Sequence, residues 1–156
     1  MPTLVMQRQA TDNAYLHRDF HAALNLGIRY LREHFGTGAV RDYVREFARA
    51  YHAPLRQRLQ AGDLAALADH IRQIHAAEGA EAEIGLTADE LVVRVPFCPA
   101  VRHIRQLGQE PDEAFAETTR SLNEGLCEGT PFAAELLAYD PATGASVQRF
   151  ARRAAP

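Results

Sequence analysis

The residues best suited to chemistry gather in two stretches. The first is Phe97-Cys98-Pro99-Ala100-Val101-Arg102-His103. A cysteine at a strand end, immediately before a helix opened by proline, sits at the positive end of the helix dipole, which favours thiolate. His103, five residues on, is a candidate base, and Arg102 a candidate ligand-binding cation. The alternative use of Cys98 is as a small buried hydrophobe. The second stretch is Ser121-Leu122-Asn123-Glu124-Gly125-Leu126-Cys127-Glu128-Gly129. On a helix, Leu122 and Leu126 face a core, Glu117, Ser121, Glu124 and Glu128 form one polar flank, and Asn123 with Cys127 form the other. Carboxylates four apart perturb one another when partly buried, which makes Glu124 a candidate proton-transfer group. Glu128 and Asn123 are candidate ligand contacts, and Cys127 is a second candidate thiol. A solvated flank is the plainer reading. Gly125 and Gly129 point to close approach by another backbone or a ligand.

His17 and His21 stand four apart, a spacing that lets two imidazoles reach one metal. No third ligand is evident, so a metal is left open and no cofactor is expected. His52, His70 and His75 flank apolar stripes and read as fillers. All 17 basic residues are arginine, so Schiff-base and P-loop lysine chemistry are excluded. Catalysis must come from cysteine, histidine or carboxylates, with arginine limited to binding, for example as a fork on a substrate carboxylate.

Helical period governs the first half. Phe20, Leu24, Ile28, Leu31 and Phe35 share one face, ended by Gly36 and Gly38. Val40, Val44, Phe47, Tyr51 and Leu55 form a second stripe, capped by Thr37, flanked by Arg41, Arg45 and Arg49, and interrupted by Pro54. Leu64, Leu67, Ile71 and Ile74 form a third between Asp63 and Gly79. The second half reads as a hairpin (81–86 and 90–97), a short helix after Cys98 to Gly108, a helix opened by Glu110-Pro111-Asp112, and a second hairpin around Asp140-Pro141-Ala142-Thr143-Gly144. The expected class is α+β: an antiparallel helical layer on a sheet of about four antiparallel strands, with two interposed helices.

A chain of 156 residues is one ordinary domain, with 1–16 as a loosely attached segment, and it buries roughly 68–70% of its unfolded surface. The net charge of −3 and the dispersed arginines exclude a nucleic-acid footprint. No signal-peptide core or membrane-length apolar run is present, so a cytoplasmic chain with reduced thiols and no membrane partner is expected. A homodimer is expected on base rates.

The helical opening Asp19-Phe20-His21-Ala22-Ala23-Leu24 with Tyr30-Leu31-Arg32-Glu33-His34-Phe35-Gly36, the strand-end Cys98-Pro99, the helix bearing Asn123 and Cys127, and the terminal two-strand unit together resemble the L-2-amino-thiazoline-4-carboxylic acid hydrolase-like family. The resemblance covers about Asp19 to Arg152. It implies a small cytosolic α+β domain that opens a cyclic C–N bond, and carries over Cys98 and Cys127. The layout also loosely resembles 4-vinyl-reductase-type domains, which implies a small-molecule pocket without a reaction.

Overall fold

The computed structural model describes residues 19–155. Four helices come first: α1 (Asp19–Phe35), α2 (Thr37–Tyr51), α3 (Ala53–Gln60) and α4 (Leu64–Ala77). A hairpin of β1 (Glu83–Leu86) and β2 (Glu90–Val95) follows, then α5 (Pro99–Gln106) and α6 (Glu117–Cys127), then a hairpin of β3 (Phe132–Tyr139) and β4 (Ser146–Arg152). The expected α+β class is the one observed. The segment 1–16 and His17 lie outside the described residues.

The breaks follow from local chemistry. Gly36 takes a φ of 84° between α1 and α2 and occupies the N-cap itself, so Thr37 becomes the first helical residue and caps nothing. Pro54 sits in the first turn of α3, where no N–H is needed, and this leaves His52 at the joint between α2 and α3. Asp63 caps α4 as expected, its carboxylate accepting the Ala66 N–H at 3.1 Å.

One boundary differs. α6 begins at Glu117 rather than at Glu110-Pro111-Asp112. The intervening backbone is held by α1 instead: Asn25 donates to the Glu110 carbonyl at 3.0 Å and accepts the Asp112 N–H at 2.8 Å. Arg32 forks onto the Asp112 carboxylate at 2.9 and 2.8 Å. A clamp from eighty or more residues away outweighs the local helix signal there.

The sheet order is β1-β2-β4-β3, antiparallel throughout, so the two hairpins join through β2 and β4. Leu91 pairs with Phe150, Val93 with Gln148 and Val95 with Ser146. This row faces the helices. One core joins the sheet to α3, α4 and α6, around Leu67, Leu91, Phe132 and Phe150; another joins α1, α2 and α5, around Ile28, Val40, Val101 and Ile104. Leu122 on α6 touches both.

α6 crosses α2 at close range. The two flanks that read separately as solvated faces meet here: Arg41 pairs with Glu117, Arg45 with Glu124 and Arg49 with Glu128. The half-exposed Arg45–Glu124 and Arg49–Glu128 pairs contribute little individually, whereas the Glu117 carboxylate is buried and also accepts from Ser121. The tighter constraint is Gly125, where an added Cβ would lie 2.9 Å from the Ala48 Cβ and 3.1 Å from the Arg45 Cα. The close approach expected at Gly125 is therefore made by another helix. Gly125→Ala is expected to push α2 from α6 and lower stability by about 1–3 kcal/mol. Urea denaturation checks this, and an unchanged midpoint would show that the crossing absorbs a methyl group.

Candidate functional site

Where the two cores meet around Leu122, the helices do not close. A cavity of about 230 Å³ remains, walled by α1, the α2–α3 joint, α4, α6, the start of α5 and the sheet. Leu67, Ile71, Ile74, Leu122 and Leu126 supply its apolar wall. Four of the chain's seven histidines, His21, His52, His70 and His75, also line it. Its volume lies just below the roughly 300–1,000 Å³ of drug-sized sites, so it suits a small molecule.

Cys98 is fixed in this wall by the end of β2 and the start of α5. It takes the N-cap position, extended at φ −90° and ψ 121°, with Pro99 first in the helix. Its N–H donates to the Thr143 carbonyl at 2.9 Å, which draws the β3–β4 turn over it. Gly144 in that turn has a φ of 69°, and an added Cβ there would stand 2.3 Å from the Cys98 Cβ. This contact places the thiol in a largely desolvated position. The expectation of a thiolate is corrected accordingly: burial pushes the Cys98 thiol up, and the Val101 and Ala100 amides pull against it without prevailing. Nearby Glu78 adds to the upward shift.

His21 Nε2 lies 2.8 Å from Glu78 Oε1, and both side chains are partly buried. A carboxylate only accepts, so Nε2 carries the proton and Nδ1 is left as the acceptor. His75 donates Nδ1–H to the Ile71 carbonyl at 2.8 Å. Across the cavity from α6 to the sheet runs a chain of neutral groups: Asn123 donates to Gln148 at 2.7 Å, and Gln148 donates to Ser146 at 3.0 Å.

His52 is only 6% exposed and meets Phe47, Tyr51 and His70 edge to face, with 5.1 Å between the two imidazole centroids. Its Nδ1 is buried without a hydrogen-bond partner among the described residues. Burial, and secondly His70, push its pKa down to about 4, and burial lowers that of His70 as well. Both imidazoles are neutral at physiological pH.

Of the candidate site residues singled out from sequence, Cys98, Asn123 and His21 line this cavity. The others point elsewhere. His103 lies behind the wall, its ring 6.3 Å from that of His21 and its Nε2 3.7 Å from Asp19 Oδ1. α5 carries it there because it stands more than one turn beyond Cys98. Glu124 and Glu128 face α2 and pair with Arg45 and Arg49. Cys127 is buried in the sheet-side core, where desolvation pushes its thiol up to about 12. Arg102 covers the Phe97 ring at 3.4 Å. Among the described residues no arginine lines the cavity, so none of them supplies the expected carboxylate fork in its wall. Among the described residues, no group of three or more His, Cys, Asp or Glu is placed to hold a metal ion, and His21 is already hydrogen-bonded to Glu78.

Sequence reasoning missed the partners that matter most here: Glu78, His52, His70, Gln148 and Ser146. One signal was available. His70, His75 and Glu78 are interleaved with the Leu67, Ile71 and Ile74 stripe of α4, which puts polar groups at the edge of a buried face. No helix among the described residues is long and apolar enough to cross a membrane. Comparison with protein-family models and with curated proteins gives no match, so the family resemblance rests on the residues quoted for it.

Proposed function

We propose that the cavity is the active site of a small-molecule hydrolase that opens a cyclic C–N bond, with Cys98 as nucleophile, His21 as its base and Glu78 orienting His21. The observation that carries this reading is that a partly buried, hydrogen-bonded His–Glu pair and a half-buried thiol line one cavity. A protonated thiol needs an adjacent base, and the third group holds that base in one tautomer. On a cyclic amide, His21 Nδ1 takes the Cys98 proton as Sγ adds to the carbonyl carbon attached to the ring nitrogen. The Ala100 and Val101 amides face the developing negative charge. The C–N bond then breaks, nitrogen leaves with the proton from His21, and water hydrolyses the resulting Cys98 thioester. Two unbridged cysteines suit the reducing cytoplasm in which such a thiol persists.

The test is a panel of five-membered cyclic amides and thiazolines assayed for ring opening. Cys98→Ser keeps a good N-cap residue and hence the fold. It is expected to abolish the thioester adduct seen by mass spectrometry, and His21→Gln to slow turnover by about 10²–10⁴-fold. Unchanged turnover in Cys98→Ser would remove the nucleophile. A second reading, a binding domain without chemistry, is favoured by the burial that keeps the Cys98 thiol protonated. It expects compounds from the panel to raise Tm without Cys98-dependent product.

A further inference from the structure

We infer that His52 and His70 recognise an uncharged hydrogen-bonding group, so that the ring taken by this cavity is a neutral cyclic amide, urea or thiocarbamate rather than a carboxylate-bearing one. The inference rests on the hydrolase reading for the reaction, and on the wall of the cavity for the substrate class.

Three observations converge on it. Among the described residues the wall contains no arginine, and its one acidic side chain, Glu78, is already engaged by His21. A ligand carboxylate would therefore enter an apolar space facing an acid and no permanent cation, where an unpaired buried charge is strongly disfavoured. His70 lies two turns before Glu78 on the same helix run, about 12 Å at 1.5 Å per residue. With His52 it forms a second polar station in the cavity wall. His52 Nδ1 has no hydrogen-bond partner among the described residues, and such groups are rare unless something else satisfies them. A neutral imidazole donates from one nitrogen and accepts at the other, so His52 and His70 together offer one donor and one acceptor to an N–H/C=O edge. The low proton affinity of both rings favours the same neutral partner.

The test uses three ligands of nearly one shape: thiazolidin-2-one, its 4-carboxylate and protonated 2-aminothiazoline, titrated calorimetrically near neutral pH. The neutral ring is expected to bind about tenfold or more tighter than either ion, and His52→Phe to weaken it about tenfold, the loss of one hydrogen bond. Because phenylalanine removes an unsatisfied buried nitrogen, the same variant is expected to melt at an equal or higher temperature. A merely structural histidine would lower both. If His52→Phe does not fold, His70→Phe at the half-exposed partner takes its place with the same expected loss of binding. Tighter binding of the carboxylate or of the cation, or unchanged binding in a folded His52→Phe or His70→Phe, overturns the inference. The two readings fail separately: Cys98→Ser that binds the neutral ring and still opens it defeats the hydrolase assignment alone, whereas a carboxylate preference with Cys98-dependent turnover defeats the recognition assignment alone.

Discussion

Alanine at Gly144 is expected to destabilise the protein by about 2–5 kcal/mol and to disable the cavity. Two effects add. The residue holds φ at 69°, a backbone state that disfavours any side chain by about 1 kcal/mol or more. The new Cβ would also stand 2.3 Å from the Cys98 Cβ and 2.9 Å from Val101 Cγ2, neither of which is the free end of a flexible chain. The turn has to lift, which strains the 2.9 Å bond from the Cys98 N–H to Thr143 and adds an overpacking term of about 1–3 kcal/mol. Gly108 provides the control, since it has a φ of 72° but nothing within 4 Å of its added Cβ. Gly108→Ala is expected to cost only about 1 kcal/mol. Equal urea midpoints for the two variants would mean that the seating of this turn on Cys98 contributes nothing.

Loss of the His52 contribution is expected to weaken the fold by about 3 kcal/mol between pH 6.5 and pH 4. His52 in the folded protein resists protonation down to about pH 4, against an ordinary value of 6.5. Between these limits the unfolded chain binds a proton that the folded protein refuses, so stability is full above the upper limit and declines as pH falls toward the lower one. His70 is shifted in the same direction by burial and adds to the slope. Asp112 behaves differently. Its hydrogen bonds from Arg32 hold the carboxyl below the usual range, so its contribution disappears only in stronger acid. Denaturation midpoints measured across this window should fall steeply in the native protein and much less in His52→Phe. Parallel slopes would show that His52 is not the titrating group.

Much of the architecture was legible because its signals are local. The 3.6-residue stripes, Gly36 and Gly79 after helices, Pro54 at the α2–α3 break and the Asp140–Gly144 turn each encode their own geometry within a few residues. The start of α6 was not legible, since it depends on Asn25 and Arg32 reaching across the molecule. Cys98 stood out because a strand end and a helix start coincide there. Its protonation state did not, because the turn that buries it arrives from 45 residues downstream. His103 and Glu124 were plausible by spacing and chemistry, yet α5 and α6 turn them away from the cavity. His52 and His70 were passed over for the opposite reason: a histidine beside an apolar stripe has the same local pattern whether it fills a core or borders a hole. The paired flanks of α2 and α6 show the same ambiguity, since a row of arginines reads as solvated until its row of glutamates is found.

The joining of the hairpins through β2 and β4 also has a kinetic meaning. Val93 and Gln148 are partners although 55 positions apart, so each hairpin can zip early while their union waits on a slow search. The cavity wall takes Val95 from one hairpin and Ser146 and Gln148 from the other, and it is complete only after that union. A molecule lodged against both hairpins would therefore have little to grip in the folding transition state if the union forms late. Its presence would lengthen the lifetime of the native state, leaving the speed of reaching it nearly unchanged.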